Sequence, residues 1–289
     1  MDQRDEALED FQRITVASTR AGLYVLSTEG RTPKALKTLV DSTHAQSGAM
    51  NERLQQKYDP QRRYLPVCAE GCASCCFVSV LIAPVEALRI AEHVRATRDD
   101  EAFAAVRARV ADAAAKTRDL SQEERMRLQL PCPLLDTETA ACTIHEARPG
   151  MCRAYNSCDV KACVTAFETK DLHAPIPGNR LQQDGVTSVW IGMLAATSIA
   201  GLDAQVVELS AALDLALDVP DAAERWLAGE RLFERAQTKV SRVGAPRATM
   251  ATQAAARELR ARHPDEVPAA TKPSVSRSRN EKKRAKKKR

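Results

Sequence analysis

Residues 68–76 read Cys-Ala-Glu-Gly-Cys-Ala-Ser-Cys-Cys, so four of the chain's nine cysteines fall within nine residues. The spacing is C-x3-C-x2-C-C. Two or three residues between thiols let one tight turn aim neighbouring sulfurs at a common point, and Gly71 supplies a turn position with free backbone choice. Cys75 and Cys76 are adjacent. In an extended segment their side chains point to opposite sides, so they are expected to reach different metals or different corners of one cluster.

A second group follows after 55 residues. Cys132, Cys142 and Cys152 have nine residues between neighbours, and Cys158 and Cys163 come next. Thiolates are soft ligands that select zinc, Cu(I) or iron–sulfur clusters over Mg or Ca. A single zinc held by four thiolates would leave most of these cysteines idle. Two ions or a polynuclear cluster suit the count better. The expected ligands are Cys68, Cys72, Cys75, Cys76, Cys132, Cys142, Cys152 and Cys158, with Cys163 expected to matter least. His145, three residues after Cys142, is a weaker candidate. His93 sits in a helical stretch and is expected to be a packing or surface residue.

The rest of the chain reads as helix. Alanine is abundant, aromatics are 4% of the 289 residues, and there are only 11 glycines, a balance that favours helix. Thr32-Pro33 is a cap followed by proline at the first helical position, Pro84 opens another helix, and Ser121 with Glu124 forms a capping box. Asp100 is expected to cap the stripe Phe103, Val106 and Val110. Val206, Leu209, Leu213 and Leu217 form a further stripe, and a helix capped by Asp221 is expected to carry both Trp226 and Phe233. The apolar run 77–83 reads as a short strand or buried extended segment. Trp190 and Trp226 read as core.

The predicted architecture is mostly α, with helices packed around an irregular cysteine-rich metal centre. It divides into a helical segment 1–60, a cysteine-cluster domain 61–165, a helical segment 166–240, and a polar linker with a disordered basic tail over 241–289. The net charge of +5 conceals an asymmetry: residues 272–289 alone carry +9, leaving the remaining chain at −4. That tail, and Arg277 to Arg289 in particular, offers weak association with a polyanion such as RNA. It has no aromatic residue for base stacking. The charged N-terminus lacks a signal-peptide core, and the longest apolar stretch, 189–202, is too short to span a membrane. A soluble cytoplasmic protein is expected, in a compartment where clustered cysteines bind metal rather than form disulfides.

The two cysteine segments resemble the YkgJ-like cysteine-cluster family of zinc- or iron-chelating domains. The resemblance spans residues 60–165. It rests on C-x3-C-x2-C-C, on Glu86 near the start of the following helix, on Cys132-Pro133, on Cys142 with Ile144, and on Arg148-Pro149-Gly150-Met151-Cys152-Arg153. His145 stands where an aromatic is common, and the turn 136–141 lacks the usual glycine. The family implies metal chelation through these cysteines without one settled reaction. Some members that resemble this domain are flagellin lysine methylases read as iron–sulfur proteins, which tilts the expected cofactor toward an iron–sulfur cluster over zinc. A structural or redox metal site is the leading expectation. The alternatives are an iron–sulfur-dependent protein-modifying enzyme, and a nucleic-acid-associated protein with a structural metal core and basic arm. Cys68, Cys72 and Cys75 also match the spacing of radical S-adenosylmethionine enzymes, but no repeating strand–helix pattern surrounds them. No βαβ pattern frames Cys72 and Cys75 as a redox dithiol, and no Rossmann-type glycine loop is present. Arg148 and Arg153, flanking Cys152, could offset thiolate charge.

Overall fold

A computed structural model of the protein describes residues 3–266. The basic stretch from Arg277 to Arg289, and the disorder expected of the tail, lie outside the described residues. Eleven α-helices and two two-stranded ribbons make up the regular structure among those described. The fold is mostly α, as expected.

The chain begins with a hairpin of long helices, α1 (Gln3–Thr28) and α2 (Pro33–Tyr58). Thr32 caps α2 by accepting the Ala35 N–H, with proline at the first turn. After the first cysteine group comes β1 (Leu81–Ile82), then α3 (Pro84–Thr97), α4 (Asp100–Thr117) and α5 (Gln122–Leu128). The residue that caps α4 is Asp99 rather than Asp100; its carboxylate accepts the Ala102 N–H. Both halves of the Ser121–Glu124 capping box form. The apolar run 77–83 contributes only Leu81 and Ile82 to a strand.

The second cysteine group is built on a hairpin, β2 (Leu135–Asp136) and β3 (Ala141–Cys142), and two short helices, α6 (Gly150–Ala154) and α7 (Val160–Glu168). In the hairpin Leu135 pairs with Cys142. The missing turn glycine is replaced by Ala140, which adopts φ 55°, a region an alanine enters only under local constraint. Asp136 Oδ1 supplies that constraint by accepting the N–H groups of Glu138 and Thr139.

The remaining elements are α8 (Arg180–Ile199), β4 (Val207–Glu208), α9 (Leu209–Asp218), α10 (Ala222–Leu227) and α11 (Lys239–Arg262). The helix α8 is apolar on most sides and sits centrally, against α1, α2, α6 and α11. Antiparallel pairing of β1 with β4, Leu81 opposite Glu208, draws the first cysteine segment onto the start of α9. One large apolar core joins α2, α3, α4, α8 and α9.

Two expectations change here. Trp226 and Phe233 do not share a helix. α10 ends at Leu227, and Phe233 lies in a 3₁₀ turn, Leu232–Ala236. Both residues close on Asp203, whose carbonyl accepts the Trp226 Nε1–H and whose carboxylate accepts the Phe233 N–H. Asp221 stands at the start of α10 but makes no side-chain cap. The polar stretch after Ser241 is helical as far as Arg262. A Thr238–Ser241 capping box starts it, and the small residues Ala255 and Ala256 with Leu259 bury against its neighbours. Among the described residues, no helix is long and apolar enough to cross a membrane.

Candidate metal centre

The first cysteine group forms a compact knuckle. Gly71 takes φ 83°, left-handed backbone that glycine adopts without a Cβ clash. The Cys72 N–H donates to the Ala69 carbonyl and the Cys76 N–H to the Ala73 carbonyl, so the thiols hang from successive tight turns. Cys75 and Cys76 are not extended. They lie in a 3₁₀ turn, Ser74–Phe77, where consecutive side chains diverge by about 120° rather than pointing opposite ways. The neighbouring Cys76 thiol is the largest influence on Cys75 and raises its pKa.

Backbone hydrogen bonds bring the distant groups together. The Cys132 N–H donates to the Cys76 carbonyl at 2.7 Å, and the Val67 N–H to the Ser157 carbonyl at 2.8 Å. The Ser157 N–H also donates to Cys68 Sγ at 3.4 Å. The rings of Phe77 and Phe167 pack with centroids 4.6 Å apart, fastening α7 to the first knuckle.

A cavity of about 800 Å³ opens between these segments. Its wall carries Cys68, Cys72, Cys75 and Cys76 from the first group, and Cys132, Cys142 and Cys152 from the second. Cys163, on α7, also reaches this wall, while Cys158 does not. Cys158 stands beside Cys68, its N–H bound to the Pro177 carbonyl. His145 is on the wall; His93 is not. All nine cysteines are free thiols. Among the described residues, no three His, Cys, Asp or Glu side chains converge on one point closely enough to hold an ion as they stand.

The electrostatics suit a cation. Burial raises the Cys132 thiol to about 11. Burial pushes Cys152 well above the ordinary thiol value, and the neighbouring thiols Cys132, Cys75 and Cys142 add to the shift. Cys75 is raised chiefly by its neighbour Cys76, and Cys72 by burial and then by Cys68, Cys75 and Cys163. Sulfurs from both groups therefore oppose one another's ionisation, and a bound cation would reverse that penalty. Arg148 holds the His145 pKa below its usual value, burial adding to the effect, so the imidazole stays neutral and able to ligate near neutral pH. The donor set, soft sulfur with one neutral imidazole, fits zinc or an iron–sulfur cluster.

A buried carboxylate positions the second group. Glu86, 1% exposed, accepts three N–H groups: Ala83 N at 2.9 Å, Gly150 N at 2.6 Å and Trp190 Nε1 at 2.8 Å. Gly150 opens α6, so this carboxylate ties the helix bearing Cys152 to α3 and to the central α8. A Cβ at Gly150 would stand 2.9 Å from the Trp190 ring. Sequence reading marked Glu86 without its partners, and marked Trp190 as core without its bond. It missed Arg125 altogether. That guanidinium is 1% exposed, on the cavity wall, and paired with Glu208 at 3.0 Å. Nothing in the local sequence distinguishes it from the exposed arginine two positions later.

Residues 67–173 match a family model described as "Putative zinc- or iron-chelating domain". This is the cysteine-cluster family that the motifs resemble. That description supports metal binding by this segment. No curated protein and no solved structure matches the chain.

Proposed function

We propose that the protein binds metal in this cavity through thiolates of both cysteine groups, as an iron–sulfur cluster in preference to a single zinc ion. One observation carries the reading: thiols from segments 55 residues apart line one cavity, joined by the Cys132-to-Cys76 backbone bond. Cys68, Cys72, Cys75 and Cys76 would supply one side, and Cys132, Cys142 and Cys152 the other, with Cys158 or Cys163 completing the set. The number of thiols supports a polynuclear centre, since one tetrahedral zinc uses four. Bound there, an iron–sulfur cluster would supply one-electron chemistry and zinc a structural clamp.

The chain's own residues prepare the site. The 3₁₀ turn presents Cys75 and Cys76, the Asp136-stabilised hairpin presents Cys142, and the Glu86 clamp fixes the origin of α6. Apolar side chains of Leu134, Ile144 and Met151 shield the inner wall, which lowers the local dielectric and strengthens sulfur–metal attraction.

The test is anaerobic purification followed by metal analysis and absorption spectroscopy. Iron with acid-labile sulfide and broad visible absorption supports the cluster, and colourless zinc protein supports the structural alternative. Protein with neither metal, whose nine thiols all react freely, would refute the proposal.

A further inference from the structure

Three arginines stand at or beside the thiol cavity, and the fold treats them differently. Arg125 donates Nη1 to Glu208 and Ser79, although its Nε, like that of Arg148, has no acceptor. Arg153 donates Nε to the Arg148 carbonyl at 2.9 Å and Nη2 to the Glu146 carbonyl at 2.5 Å, bracing the loop before α6. Arg148 is the exception. Among the described residues its side chain makes no hydrogen bond and no ion pair, although it is half-buried on the cavity wall and its Nε is shut off from solvent. Its positive charge acts on Cys75 and Cys152, one thiol from each cysteine group.

A guanidinium is always charged, and a buried donor without an acceptor is costly. The acceptor that this cavity can generate is thiolate sulfur. Four thiolates around a divalent ion, or around a cluster core of the same charge, carry a net charge of about −2. An adjacent guanidinium offsets part of that charge and its N–H groups bond sulfur lone pairs.

We propose that Arg148 is the counter-charge of the metal centre, donating its Nε–H to the metal-bound sulfur of Cys75 or Cys152; this rests on the thiolate metal site proposed above. Arg148 is then a positioning residue acting through sulfur, and it is idle until metal arrives. Arg153, although it flanks the same cysteine, serves the backbone.

The test uses the full chain, stripped of metal under anaerobic reducing conditions and reloaded in parallel with cobalt(II) and with ferrous iron plus sulfide. Wild type, Arg148→Gln, Arg148→Lys and Arg153→Gln are compared. Metal-free Arg148→Gln is expected to melt no lower than metal-free wild type, because the replaced side chain has no partner to lose and an unpaired buried donor is removed. Its metal affinity, by chelator competition, is expected to fall about 10-fold, within the range for loss of an outer-shell partner. Its thiolate-to-metal absorption band is expected to shift, which a merely structural role would not cause. Arg148→Lys should recover most of the affinity without restoring the band. Arg153→Gln should lower the metal-free melt and leave the band in place. Unchanged affinity and band in Arg148→Gln overturn the Arg148 assignment alone. A metal-free melt lowered by several degrees also overturns it, by making the side chain structural. Wild type that develops no thiolate-to-metal absorption with either metal overturns the metal reading itself.

Discussion

Replacing Glu86 by glutamine probes the joint between the cysteine cavity and the helical body. The carboxylate is fully buried, and its burial pushes the pKa up while three N–H donors hold the charged form. Oε1 accepts Gly150 N, and Oε2 accepts both Ala83 N and Trp190 Nε1. A glutamine has one oxygen. Its better rotamer keeps the pair at Oε2 and turns an NH2 group against the Gly150 N–H, leaving a buried donor facing a donor. Losing that bond costs about 1–3 kcal/mol, and weakening two charge-assisted bonds to neutral ones adds about 1 kcal/mol each. The lighter desolvation of an amide offsets part of this, leaving a net loss of about 2–4 kcal/mol. At about 2 °C per kcal/mol for a chain of this size, the melt should fall by about 4–8 °C. Because Gly150 begins the helix bearing Cys152, metal per chain should fall as well. Thermal melting and metal analysis of the same preparation measure both. A Glu86→Gln protein that melts within about 1 °C of wild type would show that the three-donor clamp is not holding α6.

Further outcomes follow from other parts of the molecule. Arg125→Met strands Glu208, 1% exposed and already raised by burial, and should destabilise by about 3–5 kcal/mol in denaturant melts. Adding Glu208→Gln, which removes the stranded charge while keeping an oxygen for the Ala211 N–H at the start of α9, should recover part of that loss, and no recovery would mean the pair is not the source. Cys163→Ser should lower metal content more than Cys158→Ser, since Cys163 and not Cys158 lies on the cavity wall; the reverse order would restore the ranking expected from the motif. His44 is lowered from 6.5 to about 4, mainly by burial and then by Arg153, so the unfolded chain binds its proton first as pH falls. Its contribution to stability is present above pH 6.5 and lost towards pH 4, amounting to at most about 3 kcal/mol. His44→Phe should flatten that stretch of the stability–pH curve, and an unchanged slope counts against the assignment. Deleting residues 272–289, which carry +9, should leave metal content and melting unchanged while weakening salt-sensitive RNA binding. A melt lowered by several degrees would mean that the tail packs on the body.

What depends on near neighbours along the chain was legible from the amino acids in order. The Thr32-Pro33 start, the Pro84 start and the Ser121–Glu124 box are each satisfied within one turn, so their residues state them outright. The C-x3-C-x2-C-C spacing and the Arg-Pro-x-x-Cys-Arg run are equally local, and they carried both the expected thiolate chemistry and the resemblance to the chelating domains. Tertiary structure decided what depends on residues far apart. Cys163 gains the cavity through Phe77 packing on Phe167, a contact no spacing encodes. The helix after Ser241 exists because Ala255, Ala256 and Leu259 find a surface to cover, where composition alone reads as polar. Glu86, Arg125 and Arg148 look alike in one dimension, as charges near helix ends. Only burial and partners separate a three-donor clamp, a closed ion pair and an unpaired guanidinium, because the cost of burying a charge depends on what stands opposite it.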